Sequence, residues 1–482
     1  MDTAFWSATK LIRALRARKI GALELLDLYA ARIARHDRTL NSLCVLDFDA
    51  ARKRARGFDR ASARAKTAPL AGLPMTVKES FDLKGHPTTW GLPEYKNTRA
   101  ATNALAVERF ARAGANVFGK SNVPTLLADW ETNNPVYGKT VNPWNPERTP
   151  GGSSGGAAAA LAAGLTSLEA GSDIGGSIRN PANYCGVYGH KPTWGICSMV
   201  GHALPGSVHP ADISAIGPLA RSAFDLELAF LIMAGPDAID GAGWKLALQK
   251  PARKTLRGLR VAVLATHPTA ETDATVQHSI GRLAQFLARQ GAKVSERALP
   301  AFDLGEAHRV FIQLLRGATC ARLTPEFFAQ MLAAKDRLAP KDGSYYAQMV
   351  RANTQPHKDW LAASNRRHQM RLAWAEFFRD WDVLLCPNAA TAAFPHSMPG
   401  ERWERMITVN SKPQPATTQM WWAGIAGMCY LPGTAAPIGL SPEGLPIGVQ
   451  IIGPQYGDLS TIRVAQLLGR EYYAFVPPPA YE

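Results

Sequence analysis

Apolar and polar positions follow two different spacings along this chain. In two stretches the apolar residues recur every three or four positions, as on the buried face of a helix: Leu26, Tyr29 and Ile33, then Val276, Ile280, Leu283 and Leu287. Three short apolar runs are instead typical of buried strands: residues 260–265, 382–386 and 447–453. Asp458 follows the last run, and we predict that it caps the next helix. Helices that alternate with strands predict an α/β layered fold.

Composition narrows the class of protein. The 482 residues are 46% hydrophobic, enough for a sizeable core, and no apolar run reaches the roughly 18 residues that span a membrane. Basic residues interrupt the first twenty positions, so these do not form the apolar segment of a signal peptide. The six cysteines form no CxxC pair and have no histidine at metal-ligand spacing. We therefore expect a soluble, cytoplasmic protein with no bound metal and no membrane partner.

The chain is strongly basic, with a formal net charge of +15, and its basic residues are dense over residues 52–66. Such a surplus suits an anionic partner such as nucleic acid, or it forms the solvated face of a helix. The charge is accompanied neither by interleaved aromatic residues nor by zinc-finger spacing. We therefore favour the solvated face and expect no nucleic-acid partner.

A glycine-rich stretch, TPGGSSGG, ends at Gly156 and contains two serines. A phosphate-binding loop of the Walker type would need lysine after Gly156, where the chain has Ala157. A nucleophile elbow fits the pattern G-x-S-x-G around Ser153, but it needs an acid and then a histidine later in the chain. His357 and His396 are candidates, although no local pattern marks either. The elbow stays open as an alternative.

A second glycine-flanked serine occurs in GSDIGGSIRNP, where Ser177 lies 24 residues beyond Ser153. A loop, a helix and a strand fit this interval and would return both serines to one edge of a sheet. A serine hydroxyl needs a neighbouring base before it becomes a nucleophile. Lys78 ends a strand-like run, and a lysine desolvated there has a lowered pKa and acts as a neutral base. Lys120 and Lys191 look like ordinary lysines beside turns, yet the residues alone leave Lys120 as a second candidate base.

Three motifs together resemble the amidase signature family of hydrolases: Lys78 in GLPMTVKESFD, Ser153 in TPGGSSGG and Ser177 in GSDIGGSIRNPA. Their order and the 24-residue interval are similar to those of the family. Further similar segments extend the resemblance over most of the chain: GKSNVP, NPVYGKTVNPW, CGVYGHKPT and GLPIGVQIIGP. The resemblance implies that Ser177 is the nucleophile and Lys78 the base. It implies that Ser153, on a cis peptide, relays the proton between them.

The same resemblance implies the architecture. It predicts a single α/β/α layered domain over residues 1–482, built around a large mixed twisted sheet. Variable insertions around residues 300–350 and 390–425 would shape the substrate entrance. No metal or organic cofactor is implied, and a homodimer is expected on the resemblance alone. His190 is interpreted as a hydrogen-bonded core histidine, and Cys320 receives no role.

The glycines before Ser177 let backbone N–H groups turn toward one point, where they would hold the oxyanion of a tetrahedral intermediate. The expected donors are the amides of Ile174, Gly175, Gly176 and Ser177. Asp173 and Arg179 flank this loop, and with Ser154 we expect them to support the structure rather than to react.

An acyl pocket is implied after the GKSNVP segment, by resemblance to fatty acid amide hydrolase. By position, Leu127, Ala128 and Trp130 would line this pocket and make it apolar, whereas many family members carry an acidic residue in this stretch. A second group either fills the core or shapes the entrance: Trp403, Trp421 and Trp422, with Met420. If this group faces the cleft, the substrate is bulky and apolar or aromatic.

These features predict hydrolysis of a carboxylic amide to an acid and an amine or ammonia through a seryl acyl-enzyme. The expected partner is a small-molecule amide, and esters or carbamates would react by the same route if the pocket admits them. One alternative is the glutaminase subunit of a tRNA-dependent amidotransferase, which shares these motifs. Another is a basic nucleic-acid-binding protein on an inactive scaffold, against which the intact catalytic positions argue.

Overall fold

A computed structural model describes residues 2–61, 67–208, 211–396 and 400–482. Within those ranges the α-helices are α1 (Ala8–Arg16), α2 (Ala22–Leu40), α3 (Phe48–Arg60), α4 (Leu105–Arg112), α5 (Gly155–Ala162), α6 (Arg179–Cys185), α7 (Ala223–Met233), α8 (Ala274–Arg289), α9 (Leu304–Thr319), α10 (Pro325–Lys335), α11 (Tyr345–Asn353), α12 (His357–Asp380), α13 (Gln419–Gly427) and α14 (Asp458–Glu471). The strands are β1 (Leu43–Leu46), β2 (Pro74–Lys78), β3 (Asn116–Ser121), β4 (Asn133–Asn134), β5 (Gly138–Lys139), β6 (Glu169–Asp173), β7 (Tyr188–Lys191), β8 (Ala215–Ala220), β9 (Arg260–Val263), β10 (Lys293–Ser295), β11 (Val383–Pro387), β12 (Met406–Val409), β13 (Lys412–Pro415), β14 (Gly433–Leu440) and β15 (Pro446–Ile452).

The main sheet is mixed and has eight strands in the order β10-β9-β11-β15-β14-β7-β8-β6. Strand β9 pairs in parallel with β10 and β11, and the remaining neighbours pair antiparallel. The three apolar runs form β9, β11 and β15, which lie side by side in this sheet. Almost every residue of these strands is buried, which explains why their sequences are continuously apolar rather than alternating.

Helices cover both faces of the main sheet. On β7, a Cβ at Gly189 would meet Ile178 and Ala182 at the start of α6. The adjacent residue Tyr188 points to the opposite face, and its hydroxyl lies against Gly469 of α14. The predicted α/β architecture around a large mixed sheet is therefore confirmed.

A separate three-stranded sheet, in the order β1-β3-β2, carries the predicted lysine. Helix α5 contacts all three of its strands and also β6 and β8 of the main sheet. This helix contains only glycine, alanine and one leucine, all of them buried. A Cβ at Gly156 would overlap the backbone of Asn122 and Ser42. The small side chains therefore let the two sheets approach closely enough for residues of β2 and β6 to touch.

The predicted helix stripes are buried on α2 and α8, as expected. The predicted role of Asp458 was wrong, because α14 begins at this residue and Gly457 is its N-cap. The Asp458 carboxylate instead accepts hydrogen bonds from the amide (2.8 Å) and hydroxyl (2.7 Å) of Thr193, and it lies 3.2 Å from His190 Nε2. The other ring nitrogen of His190 lies 2.9 Å from the Thr434 hydroxyl. His190 is thus a hydrogen-bonded core histidine, as interpreted from the sequence.

The basic stretch lies on α3 in its described part, where Lys53, Arg54, Arg56 and Arg60 are exposed. Residues 62–66 of that stretch lie outside the described ranges. A helix both long and apolar enough to cross a membrane does not occur in the described parts of the chain.

Candidate active site

Lys78 stands at the carboxyl end of β2 and is fully buried. Its Nζ donates to the Oγ of Ser153 at 2.7 Å, in the loop that precedes α5. A second hydrogen bond, 3.0 Å long, joins Nζ to the Oγ of Ser172 on β6. The lysine therefore bridges the two sheets through two serine hydroxyls.

Ser177 lies in the loop between β6 and α6, beside the loop that holds Ser153. The amide of Ser154 donates to the carbonyl of Ser177 at 3.1 Å, which joins the two loops directly. The peptide bond between Gly152 and Ser153 is cis, as the resemblance implies. Ser177 also lines a cavity of about 170 Å³ that opens to solvent. The structure thus brings the two predicted serines and the predicted lysine into one neighbourhood.

Burial decides the protonation of Lys78. Desolvation lowers its pKa to about 7, although the negative charges of Asp173, Glu169 and Glu79 act in the opposite direction. A large fraction of this lysine is therefore neutral at neutral pH. Only the neutral amine has the lone pair that a general base requires.

Glu169 is a second buried titratable group near this lysine. Burial raises its pKa to about 8, against the hydrogen bonds that it accepts from hydroxyls such as that of Thr76. Its carboxyl group is consequently protonated for the most part at pH 7. A neutral Glu169 does not hold Lys78 in the charged form.

Glu79 points away from Lys78, as the alternation along a strand requires. Its carboxylate accepts hydrogen bonds from the amide (2.6 Å) and hydroxyl (2.8 Å) of Thr89 and from the amide of Trp90 (3.0 Å). The carbonyl of Trp90 in turn accepts the amide of Leu126 at 2.7 Å. Glu79 therefore fixes a loop that leads to the cavity wall.

The loop around Ser177 is held by a buried ion pair. Arg179 Nη2 lies 2.8 Å from Asp173 Oδ1, and both side chains have at most 1% of their surface exposed. Asp173 also accepts the amides of Gly176 (2.9 Å) and Ile178 (3.1 Å). Burial alone would raise the pKa of Asp173, but the charge and hydrogen bonds of Arg179 hold it well below its usual range. Asp173 and Arg179 support the loop, which agrees with their predicted role.

The predicted oxyanion donors need one correction. The Gly176 amide already donates to Asp173, and Gly176 does not line the cavity. Ile174, Gly175 and Ser177 do line the cavity, and none of their amides has an acceptor among the described residues. These three amides are therefore the donors that the geometry leaves for an oxyanion, whereas the fourth is used to shape the loop.

The cavity contains the predicted acyl-pocket residues. Leu127, Ala128 and Trp130 all line it, and the Trp130 indole N–H donates to the carbonyl of Gly175 at 3.1 Å. Further apolar lining comes from Leu126, Leu315, Leu323, Phe394 and Met420. In the described ranges no cluster of histidine, cysteine, aspartate and glutamate is arranged to hold a metal ion.

A family model for the amidases matches residues 24–462 of the chain. The chain belongs to the amidase family. It is therefore an amidohydrolase, and the resemblance found in the three motifs is confirmed.

Individual proteins give the same result. The indoleacetamide hydrolase of Bradyrhizobium diazoefficiens is 32% identical over 94% of this amidase and 84% of its own length. The A-type subunit of the glutamyl-tRNA(Gln) amidotransferase of Roseiflexus castenholzii is 31% identical over 94% of this chain and 93% of its own.

Solved structures extend the comparison to the fold. A vestigial protein complex, described as revealing the evolutionary origins of an s-triazine catabolic enzyme, includes a chain with a TM-score of 0.80 at 28% identity, covering 98% of this chain and 100% of that one. The 6-aminohexanoate cyclic dimer hydrolase has a TM-score of 0.79 at 24% identity with complete coverage of both chains, which shows the shared fold.

The three tryptophans that the sequence places either in the core or at the entrance of this amidase do not line the cavity. Trp421 and Trp422 on α13 are buried in an apolar cluster with α9 and α12. Trp403 packs against Tyr346, with 5.9 Å between ring centroids. Met420 is the member of this group that lines the cavity. The entrance hypothesis is therefore wrong for the three tryptophans.

Two other lysines are also buried, but they lie in strands rather than beside turns. Lys120 on β3 donates to the carbonyl of Pro87 and to a neighbouring hydroxyl. Lys191 on β7 donates to the carbonyls of Pro192 (2.8 Å) and Leu431 (2.9 Å). Burial lowers the pKa of Lys191 to about 7 as well. Geometry, not pKa, therefore distinguishes Lys78, whose partners are the Ser153 and Ser172 hydroxyls.

Sequence reasoning missed four arginines that line the cavity: Arg316, Arg322, Arg402 and Arg405. The first two belong to α9 and the turn after it, and the last two precede β12. Both stretches fall in the segments that were expected to shape the entrance, so the basic residues there were the available signal. Cys320 lies between the first two and bonds to the Gly317 carbonyl at 3.0 Å, but it does not line the cavity.

Proposed function

We propose that this amidase hydrolyses a carboxylic amide through a seryl acyl-enzyme, with Ser177 as nucleophile, Ser153 as proton relay and Lys78 as base. The observation that carries the proposal is the 2.7 Å hydrogen bond from buried Lys78 to Ser153, in a loop bonded to that of cavity-lining Ser177. The lowered pKa of Lys78 supports its role as a base at neutral pH.

In the first step, Ser153 passes its proton to neutral Lys78 and takes the proton of Ser177. The Ser177 oxygen bonds to the amide carbon, and the carbonyl oxygen becomes an oxyanion beside the amides of Ile174, Gly175 and Ser177. When the carbon–nitrogen bond breaks, the proton returns through Ser153 to the leaving nitrogen. A water molecule repeats the sequence on the ester and releases the acid, which restores Ser177.

The apolar lining supports a substrate with a bulky apolar or aromatic part. Leu127, Trp130, Leu315, Phe394 and Met420 offer wall area for such a group in the same cavity as Ser177. Esters and carbamates that fit this cavity would follow the same acyl-enzyme route. Cytoplasmic location is part of the proposal, since all six cysteines are free, as is typical of a reducing compartment.

A glutaminase subunit of a tRNA-dependent amidotransferase is the second candidate, because a protein named for such an enzyme is 31% identical over 94% of this chain. Glutamine carries an α-ammonium group as well as a carboxylate. The only carboxylate among the described lining residues is Asp129, and it is already paired with Arg405 at 2.8 Å. The cavity thus favours a substrate without an ammonium group.

The direct test of the proposed triad is covalent labelling by a small fluorophosphonate, followed by intact-protein mass spectrometry. We expect one adduct on the wild type, no adduct on Ser177→Ala, and labelling slowed by roughly 10⁴-fold or more in Lys78→Ala, since members of a triad act as a unit. Hydrolysis of simple anilides should fall in the same variants.

Two exposed residues supply matched controls, Ser207→Ala and Lys245→Ala. Both should label at the wild-type rate. An adduct that persists in Ser177→Ala, or a wild type that takes up no label, would exclude the proposed triad.

A further inference from the structure

The charges around the cavity are unequal. Four arginines line it, and Asp129 is the only described lining residue with a negative charge. Arg405 forms an ion pair with Asp129 at 2.8 Å. The positive charges of Arg316, Arg322 and Arg402 therefore remain without a carboxylate partner among the described residues.

Contacts with neutral groups hold these three arginines in place. Arg316 donates to the hydroxyl of Tyr345, and its guanidinium lies 5.3 Å from the centre of that ring. The Nε of Arg316 is buried and has no hydrogen-bond partner in the described part of the chain. A buried donor without an acceptor is costly, and a ligand with acceptor oxygens would remove that cost.

Arg322 and Arg402 complete the cluster. Arg322 lies 4.9 Å from the centre of the Trp90 ring, a stacking contact that uses the guanidinium face and leaves its edges for an acceptor. Trp90 is itself held by Glu79 through its backbone amide. Arg402 donates to the carbonyl of Ala128, in the segment that forms the apolar wall.

These cations are held near one another at an electrostatic cost. Burial lowers the pKa of Arg402, and the charge of Arg316 lowers it further, which shows that the two guanidinium groups repel each other. Burial also lowers the pKa of Arg322. Arginine nevertheless stays protonated at neutral pH, so the repulsion persists until an anion enters.

We propose that the amide substrate carries a carboxylate, and that Arg316, Arg322 and Arg402 bind this group in the cavity that contains Ser177. Guanidinium groups match a carboxylate through paired, charge-assisted hydrogen bonds. The apolar wall beside them, with Leu127 and Met420, would take the hydrocarbon part of the same molecule. This inference rests on the proposed function, because it names the substrate class of the same site.

The test measures how well two matched probes slow fluorophosphonate labelling of Ser177. The probes are 4-phenylbutyrate and 4-phenyl-1-butanol, which share the apolar part and differ in charge. The carboxylate should protect at a concentration about tenfold to a hundredfold lower than the alcohol, the range expected for hydrogen bonds to a charged group. Raising the salt concentration should reduce this advantage, because salt screens exposed charges.

Variants locate the effect. Arg322→Gln, and the double variant with Arg402→Gln, should lose most of the preference for the carboxylate and keep the protection by the alcohol. Arg366→Gln is the matched control, since Arg366 pairs with Glu306 at 2.7 Å and does not line the cavity. It should behave like the wild type.

The outcomes separate this inference from the proposed function. Equal protection by the two probes, or an unchanged preference in the double variant, would overturn the carboxylate site while labelling of Ser177 still supports the triad. Protection by L-glutamine that matches 4-phenylbutyrate would favour the glutaminase instead. If the wild type is not labelled at Ser177, the proposed function fails first, and the substrate class fails with it.

Discussion

Arginine has two different roles in this amidase, and the loop after β6 and the cavity wall show the contrast. Arg179 is almost wholly buried, and its guanidinium contacts Asp173, Gln450 and the carbonyl of Ala423. Arg322 is only partly buried in the cavity wall and has an aromatic ring, but no carboxylate, beside it. One cation has its counter-charge within the fold, and the other does not.

This difference separates residues that serve the structure from residues that serve a ligand. A buried charge without a partner is strongly unfavourable, so a fold keeps one only where internal groups neutralise it. A charge at a solvent-open cavity costs less, because water solvates it until a ligand replaces the water. The loop around Ser177 therefore depends on Arg179 for its stability, whereas the arginines of the cavity wall are expected to contribute little to it.

The largest effect on stability is expected at the buried pair. Arg179→Met should lower the free energy of unfolding by about 3–5 kcal/mol, because it leaves Asp173 buried without a counter-charge. Thermal or denaturant unfolding measures this loss. The matched control is Arg366→Met, which breaks a partly exposed ion pair with Glu306 and should cost about 1 kcal/mol or less. Equal losses in the two variants would contradict the contrast.

The next effect is a dependence of activity on pH. Lys78 is active as a base only when neutral, and its pKa is about 7, so kcat/KM should reach a plateau above roughly pH 8. Below pH 7 the neutral fraction falls, and with it kcat/KM should decrease about tenfold for each pH unit. Initial rates with a neutral anilide between pH 5 and 9 check this limb. A midpoint near 10, the ordinary value for lysine, would show that burial does not set the pKa.

The smallest effect is expected at the cavity wall. Arg322→Gln should change the free energy of unfolding by less than about 0.5 kcal/mol, as is usual for a partly exposed side chain outside a buried network. A denaturant titration of this variant beside Arg179→Met completes the comparison. A loss of several kcal/mol in Arg322→Gln would mean that this arginine, too, is part of the structural core.

Local sequence patterns predicted the framework well. The stripes of α2 and α8 and the strands β9, β11 and β15 follow from spacings of a few residues, which reflect burial of one face or of both. The order Lys78, Ser153 and Ser177, with glycines around the serines, was sufficient to suggest the family. These features are local because backbone conformation and side-chain periodicity depend on near neighbours.

Long-range contacts account for the errors. Asp458 has the residue type of a helix cap, but its carboxylate binds Thr193, which is remote in sequence. The Gly176 amide turns to Asp173 because Arg179 holds that carboxylate in place. Trp421 and Trp422 lie in an apolar cluster that forms only when α13 packs against α9 and α12.

The sequence by itself determined the α/β class, the family, and the lysine and two serines that we propose as the triad, since each depends on residue type at short spacing. Only the tertiary structure decided which hydroxyls Lys78 meets, because two separate sheets have to pack around α5 before β2 reaches β6. It also decided that arginines from two distant segments share one cavity with Ser177. Charges converge in this way through packing between distant segments, and spacing along a single chain does not encode that convergence in a readable form.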